Sequence, residues 1–307
     1  MTYPKKMTLP SQGKIEPPVL PPKLITFDAY NTLYCSTTPI MEQYSAIALK
    51  YGIKVPVERL NERFRKTFQT LNDKYPNYGK HFGFSANDWW ARLIRQVFLP
   101  TEVPESLVDD ILERVLTKEG FIAYPDIIDF VKEVKGRFPD VIIGVVSNTD
   151  PDCYELLRQL GLFDYFKGAV YLSYDIELFK PDPKLFDYVV SDVVKRHPGI
   201  IGEGDSIKTF RRHCWHVGDE FKKDLLAAQK AGWNAVLVDR LNRNGLLNDL
   251  EQRSEMTEHD LYMDKLDQHA EKIWDHCRDQ KHFVQLNETS FVVPNITVLK
   301  QLFLAEG

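Results

Sequence analysis

From about residue 120 onward the chain alternates short apolar runs with segments of helical spacing. This pattern constrains the fold more than any other feature. Helical segments at 126–137, 151–160, 182–195 and 221–231 separate apolar runs at 141–146, 168–172, 213–217 and 235–238. A short apolar run bounded by turn residues suits a strand buried on both faces. Strands alternating with amphipathic helices imply an α/β fold, a Rossmann-like doubly wound parallel sheet with helices on both sides. A further run, 24–27, ends at Asp28 and the polar turn Asn31-Thr32, and reads as the first strand.

Between the first strand and the alternating region the pattern changes. Residues 38–118 repeatedly place apolar side chains three and four apart, with no convincing strand among them. This predicts an all-helical inserted domain over 37–119, with 23–36 and 120–307 forming the α/β core. Residues 1–22, rich in Pro and Lys, are expected to be a disordered tail; they lack the apolar centre of a secretory signal. Residues 196–212 carry Pro198, Gly199, Gly202 and Gly204 and read as a surface loop. A polar helical extension is expected at about 250–285. Residues 291–299 are expected to return to the sheet edge, ahead of a last helix at 295–304.

Composition narrows the function. A net charge of −5 gives no basic footprint for nucleic acid. No apolar run approaches the roughly 20 residues needed to span a bilayer. Cys35, Cys153, Cys214 and Cys277 are scattered and form no C-x-x-C pair, which suits reduced thiols in the cytoplasm, or the nucleus. The expected partner is a small-molecule substrate.

Ligands of open parallel sheets bind beyond the C-terminal strand ends. The polar residues there are Asp28, Ser147 with Asn148, Lys180, and Asp219 with Asp224. A carboxylate can serve as nucleophile, several oxygens can hold Mg²⁺, and Ser and Lys can offset charge on a transferred group. Each residue alone has a plainer explanation: a turn, a helix cap, a solvated loop lysine, or an acid at a helix N-terminus.

Four segments in order carry a resemblance: F-D-A-Y-N-T-L (27–33), V-V-S-N-T (145–149), K-P-D-P (180–183) and G-D-E-F-K-K-D (218–224). Together they resemble the four motifs of the haloacid dehalogenase superfamily, and the helical insert sits where that superfamily places its cap domain. A eukaryotic branch is similar also in F-R-K-T-F…Y-P-N-Y-G-K (64–80), D-W-W (88–90), H-V-G-D (216–219) and V-P-N-I-T-V-L (293–299). The resemblance implies a Mg²⁺-dependent phosphatase with Asp28 as nucleophile and Lys180 stabilising the aspartyl intermediate. It implies Thr32, Ser147 and Asn148 as substrate-binding residues, Ser147 and Asn148 at the phosphoryl oxygens and Thr32 also orienting the Asp28 loop. Asp28, the Tyr30 carbonyl and Asp219 would hold the metal, and Asp224 would act directly or through water.

The first motif departs from that pattern. Phosphatases of the superfamily carry a second aspartate two residues after the nucleophile; here it is Tyr30. A phenol, ordinarily titrating near ~10, is a poor acid at neutral pH, and the assistance it replaces is worth roughly 10²–10⁴ in rate. Activity is therefore expected to be weak. Asn31 replaces a glycine, a milder change because Asn tolerates unusual backbone angles. Tyr30 also resembles the 2-haloacid dehalogenases, which would need a halide-binding arginine, with Arg63 and Arg65 as candidates. Against that stands Asp219, which is costly beside Asp28 without a cation. A non-catalytic binding or regulatory role is the other alternative. His213, Cys214 and His216 fit no closed zinc site. His269, His276 and Cys277 read as surface or packing residues. Tyr75, Tyr78, Trp89 and Trp90 are candidates to line the substrate cleft, with packing within the insert at least as good a reading for one of each pair.

Overall fold

The computed structural model describes residues 4–9, 20–114, 116–202, 204–247 and 268–304. The strands among the described residues are β1 (Lys5–Thr8), β2 (Leu24–Phe27), β3 (Tyr34–Ser36), β4 (Phe121–Ala123), β5 (Ile142–Ser147), β6 (Val170–Leu172), β7 (Cys214–Gly218), β8 (Asn234–Val238), β9 (His282–Asn287) and β10 (Ser290–Val293). Eight form one sheet in the order β1-β9-β10-β8-β7-β2-β5-β6. The six from β10 to β6 are parallel; β9 and β1 join antiparallel at one edge.

The central strand shows why the sheet reads as short apolar runs. Every residue of β2 is buried. Ile25 and Phe27 pack into one apolar layer and Leu24 into the other. The Phe27 ring meets Phe130 edge-on at 5.5 Å. Burying such a side chain contributes about 1.5–3 kcal/mol, and alternating burial on both faces resists a one-residue slip in register.

The helical insert comprises α1 (Ile40–Lys50), α2 (Val57–Lys74), α3 (Ala86–Phe98) and α4 (Glu105–Arg114). Ser85 caps α3 in a reciprocal box with Asp88, which fixes where that helix starts. The chain leaves the sheet through β3 and returns through β4, and these two pair antiparallel, Tyr34 opposite Ala123. Two of the contacts that hold the insert over the strand ends are polar bonds from Lys80 and Trp90. The Lys80 ammonium donates to the Tyr174 carbonyl at 2.6 Å, and the Trp90 indole donates to Asp150 at 2.8 Å. Beyond β4 lies α5 (Pro125–Arg137), and after β5 comes α6 (Asp152–Gln159).

Four expectations are corrected. Residues 5–8 are not a disordered tail: they pair with residues 282–285 as the outermost strand. The segment 291–299 does not return to the sheet edge, because β10 lies between β8 and β9. Of the helical extension over 250–285, residues 250–267 lie outside the described residues. The remainder holds a helix, Ala270–Cys277, and then β9. Residues 196–212 contain a helix, Ile207–Arg211, started by the Ser206 hydroxyl accepting from the Thr209 amide. A strand pairing far along the chain leaves little mark on local periodicity, and a five-residue helix has too few positions to show one.

Candidate active site

Asp28 follows β2 directly, Ser147 ends β5, and Asp219 follows β7. Because β2 pairs with both β5 and β7, these three strand ends are neighbours. Lys180 arrives from the loop after β6. Carboxylate oxygens of Asp28, Asp219 and Asp224 lie within 4.8 Å of one another, the one such cluster of His, Cys, Asp or Glu side chains among the described residues.

A single ammonium joins two members of this cluster, Asp28 and Asp224. Lys180 Nζ donates to Asp28 Oδ1 at 2.6 Å, to Asp224 Oδ1 at 2.6 Å and to the Val146 carbonyl at 2.9 Å. Burial pulls the Lys180 pKa down, but the charges of Asp224 and Asp28 outweigh it and leave the ammonium above its ordinary value. Burial likewise disfavours ionised Asp224, yet Lys180 and His216 reverse this and hold the carboxyl well below its usual range. Ser147 Oγ donates to the same Asp28 oxygen at 2.9 Å. The Asp28 side chain is 13% exposed and that of Asp224 only 1%; both line the cavity, Asp28 the more openly.

His216 supports Asp224 from below. It is fully buried, and burial lowers its pKa, so the ring is neutral. A carboxylate only accepts, so Nε2–H donates to Asp224 Oδ1 at 3.0 Å. Nδ1 then accepts from the Thr26 hydroxyl at 2.8 Å. The Glu220 amide donates to Asp224 Oδ2 at 2.8 Å. Gly218 is required here because a Cβ on it would overlap the Asp224 carboxyl group. His213 and Cys214 reach other partners, the Pro21 and Phe210 carbonyls, so no zinc site forms with His216.

The other predicted residues divide. Asn148 lines the cavity, yet its amide is spent on the Lys180 backbone, donating to the carbonyl at 2.8 Å and accepting from the amide at 2.9 Å. It is a clamp on the Lys180 loop. Thr32 is fully buried and does not line the cavity. Its carbonyl accepts from Arg240 at 3.4 Å, so the expectation that it binds substrate is corrected: it anchors the Asp28 loop. The Tyr30 ring lies edge-on to Tyr34 and Phe121 in the cavity wall. Asn31 adopts φ of 61°, the left-handed conformation that a glycine would take.

The cavity above Asp28 measures about 210 Å³. Pockets for drug-sized ligands run roughly 300–1,000 Å³, so it suits a smaller molecule. Its far wall comes from the insert and includes Tyr44, Phe64, Tyr78, Trp90 and Leu112. As expected, one member of each aromatic pair packs instead: the Trp89 indole is buried and donates to the Tyr75 carbonyl. Neither Arg63 nor Arg65 lines the cavity.

A sequence model of haloacid dehalogenase-like hydrolases matches residues 22–232. The chain belongs to this family. It is 41% identical to an uncharacterized protein of Saccharomyces cerevisiae, over 99% of this chain and all of that one. It is 28% identical to haloacid dehalogenase-like hydrolase domain-containing protein 3 of Xenopus laevis, over 70% of this chain and 84% of that one. The L-2-haloacid dehalogenase of Xanthobacter autotrophicus shares the fold, with a TM-score of 0.54 at 17% identity, over 93% of this chain and 100% of that one.

Several contacts of this haloacid dehalogenase-like hydrolase carry no motif signal. Asn31 Nδ2 donates to Asp219 Oδ2 at 2.8 Å, and its Oδ1 accepts from the Tyr124 hydroxyl at 2.9 Å. Arg240 lies over the Tyr124 ring at 3.6 Å and makes a two-pronged pair with Asp126 at 3.0 Å per bond. Asp126 also accepts from the Ile296 amide at 2.7 Å. The first motif is thus tied through buried polar contacts to the C-terminal helix Ile296–Leu304. Asp150, in the cavity wall, accepts from Trp90 and from the Asp152 amide, and burial raises its pKa. The Asp–x–Asp spacing after Ser147-Asn148 was the one available cue to it. The four cysteines are free and buried, and no helix among the described residues is long and apolar enough to cross a membrane.

Proposed function

We propose that this hydrolase is a Mg²⁺-dependent phosphatase of small phosphorylated metabolites, working in the cytoplasm through an aspartyl-phosphate at Asp28. The observation that carries this reading is the meeting of three carboxylates, two of them bonded to one lysine. Asp28, Asp219 and Asp224 bring three negative charges within 4.8 Å, and Lys180 offsets one of them. Like charges so close favour a cation, and a set of hard carboxylate oxygens suits Mg²⁺. Asp28, Asp219 and the Tyr30 carbonyl would hold the ion. Asp224, already engaged by Lys180, His216 and the Glu220 amide, would act through water or through Lys180. Bound there, Mg²⁺ supplies positive charge against the phosphoryl oxygens.

Within this reading the protein side chains divide the work. Ser147 and Lys180 both bond Asp28 Oδ1, which fixes the rotation of the carboxylate. A free carboxylate oxygen attacks phosphorus while the bond to the leaving oxygen breaks, and the electron pair departs with that oxygen. Lys180 and Ser147 remain beside the transferred group and offset its charge. Water then cleaves the acyl phosphate and regenerates Asp28. With Tyr30 in place of the usual acid, turnover of poor leaving groups is slow. The helical insert acts as the cap over this site.

The carbon-centred alternative draws on Tyr30 and the apolar wall. Among the described residues no arginine lines the cavity to take the departing halide. Metal-free halide release from 2-haloacids would establish it. The phosphatase reading is tested with purified protein, Mg²⁺ and a broad panel of phosphate monoesters. Hydrolysis that vanishes in Asp28→Asn is expected. Absence of hydrolysis, together with failure to bind beryllofluoride, would overturn it.

A further inference from the structure

The cavity has two chemically different ends. At the carboxylate end lie Asp28, Ser147 and Lys180. Away from it, the wall supplied by the insert and by β4 is apolar, with Tyr44, Phe64, Tyr78, Trp90, Leu112 and Phe121. Lys180 and Lys223 are the two cationic lining residues among the described ones. Both are committed: Lys180 to Asp28 and Asp224, and Lys223 to Glu220 at 2.7 Å. The remaining charged groups of the wall, Asp150 and Asp152, are acidic. The Asp150 carboxyl is buried and already accepts from the Trp90 indole.

These features discriminate between substrate classes. A second phosphate or a carboxylate on the leaving group would meet only Lys223, already paired with Glu220, and would face Asp150 and Asp152. A sugar would bring several hydroxyls to a wall in which Ile40, Phe64, Ile111, Leu112, Leu116 and Phe121 offer them no hydrogen bond. An apolar body loses nothing there and gains the burial of its own surface. Aromatic rings also pack well edge-on against such walls.

We infer that the substrate carries a single phosphoryl group on an uncharged aromatic or branched aliphatic body of one or two rings' size. This rests on the phosphatase reading and deepens it. Asp28, Ser147 and Lys180 take the phosphoryl group, and the aromatic wall of the insert takes the body.

The test uses the full chain with Mg²⁺ and non-hydrolysable probes, so that turnover is not the readout. Methylphosphonate, 2-naphthylmethylphosphonate and 3-phosphonopropionate are titrated by calorimetry. Tryptophan fluorescence is followed in parallel and repeated in Trp90→Phe, which removes the cavity's own reporter. The naphthyl compound is expected to bind on the order of thirtyfold more tightly than methylphosphonate. The phosphonopropionate should bind no more tightly than methylphosphonate. Leu112→Lys and Leu116→Lys, each checked for a cooperative melt, are expected to shrink the naphthyl preference and to favour the second anion. Equal binding of the naphthyl and methyl compounds, or a preference of the parent chain for phosphonopropionate, would overturn the inference and leave the phosphatase reading standing. Binding of 2-naphthylmethanol without binding of any phosphonate would keep the apolar subsite and sink the phosphatase reading. Binding of none of them would sink both.

Discussion

The side-chain amide of Asn31 donates to Asp219 at 2.8 Å while its oxygen accepts from Tyr124. A glycine would satisfy the backbone at this position, where φ is 61°, but would make neither bond. Asn31→Gly therefore separates conformation from contact. Loss of an outer partner of a metal ligand typically costs 10–100-fold in affinity. Calorimetric titration of Asn31→Gly should show Mg²⁺ binding weakened by about tenfold. An unchanged constant would mean that Asn31 serves the turn alone.

Lys180 compensates two buried acids, so its removal leaves both exposed to the full penalty of burial. Lys180→Met should lower stability by about 3–5 kcal/mol in urea unfolding without metal. Adding Asp224→Asn to that variant should restore part of the loss, because one of the two orphaned charges disappears. A Lys180→Met protein as stable as the parent would contradict the geometry of the cluster.

Tyr30 occupies the position from which an aspartate would protonate a leaving group. Tyr30→Asp should raise kcat for alkyl phosphates, with roughly 10²–10⁴ as the ceiling for such assistance. The same change removes a ring packed against Tyr34 and Phe121, so Tm should fall. A lower Tm with no gain in kcat would show that the acid position is not the bottleneck.

The Asp152 pKa is pushed up to about 6 from 3.8, first by burial and then by the charge of Asp150. The folded state thus holds this proton more tightly than the unfolded chain does. Ionising Asp152 costs stability, and the cost grows as pH rises from about 4 to about 6 and is complete above that. Asp152→Asn should melt with the parent near the lower limit and at a higher temperature above the upper one. Parallel Tm profiles across that window would refute this.

Gly218 gives Asp224 the room to reach Lys180 and His216. Gly218→Ala should cost about 1–3 kcal/mol through forced displacement, and the Asp28-dependent activity should fall with it. The matched control is Gly136→Ala, on a helix face where a Cβ meets nothing within 4 Å; there stability should hold or rise.

Some of the site could be read directly from the chain. Asp28, Ser147 and Asp219 lie at the ends of apolar runs that suit buried strands, Lys180 and Asp224 in the segments that follow such runs, and parallel strands deliver their C-terminal ends to one rim. Convergence of these five is a consequence of topology, and topology follows from the alternation of strand and helix. The unusual backbone of Asn31 was legible for the same reason, since a tight turn after β2 needs a residue that tolerates positive φ.

Other features depend on which distant segments meet, and single-sequence periodicity is blind to that. Thr32 sits in a motif yet turns away from the cavity because Arg240, some two hundred residues on, binds its carbonyl. Asn148 looks like a substrate ligand until the Lys180 loop closes on its amide. The strand at residues 5–8 exists because residues 282–285 offer it an edge.

By itself, then, the sequence determined the α/β sheet, the helical insert and the family to which the chain belongs. Those rest on local periodicity and on short motifs that each encode one turn. Only the tertiary structure decided that Asn31 braces Asp219, that His216 is a neutral support for Asp224, and that an aromatic wall faces the nucleophile position. Hydrogen bonds and apolar contacts act over a few ångströms in space and take no account of separation along the chain.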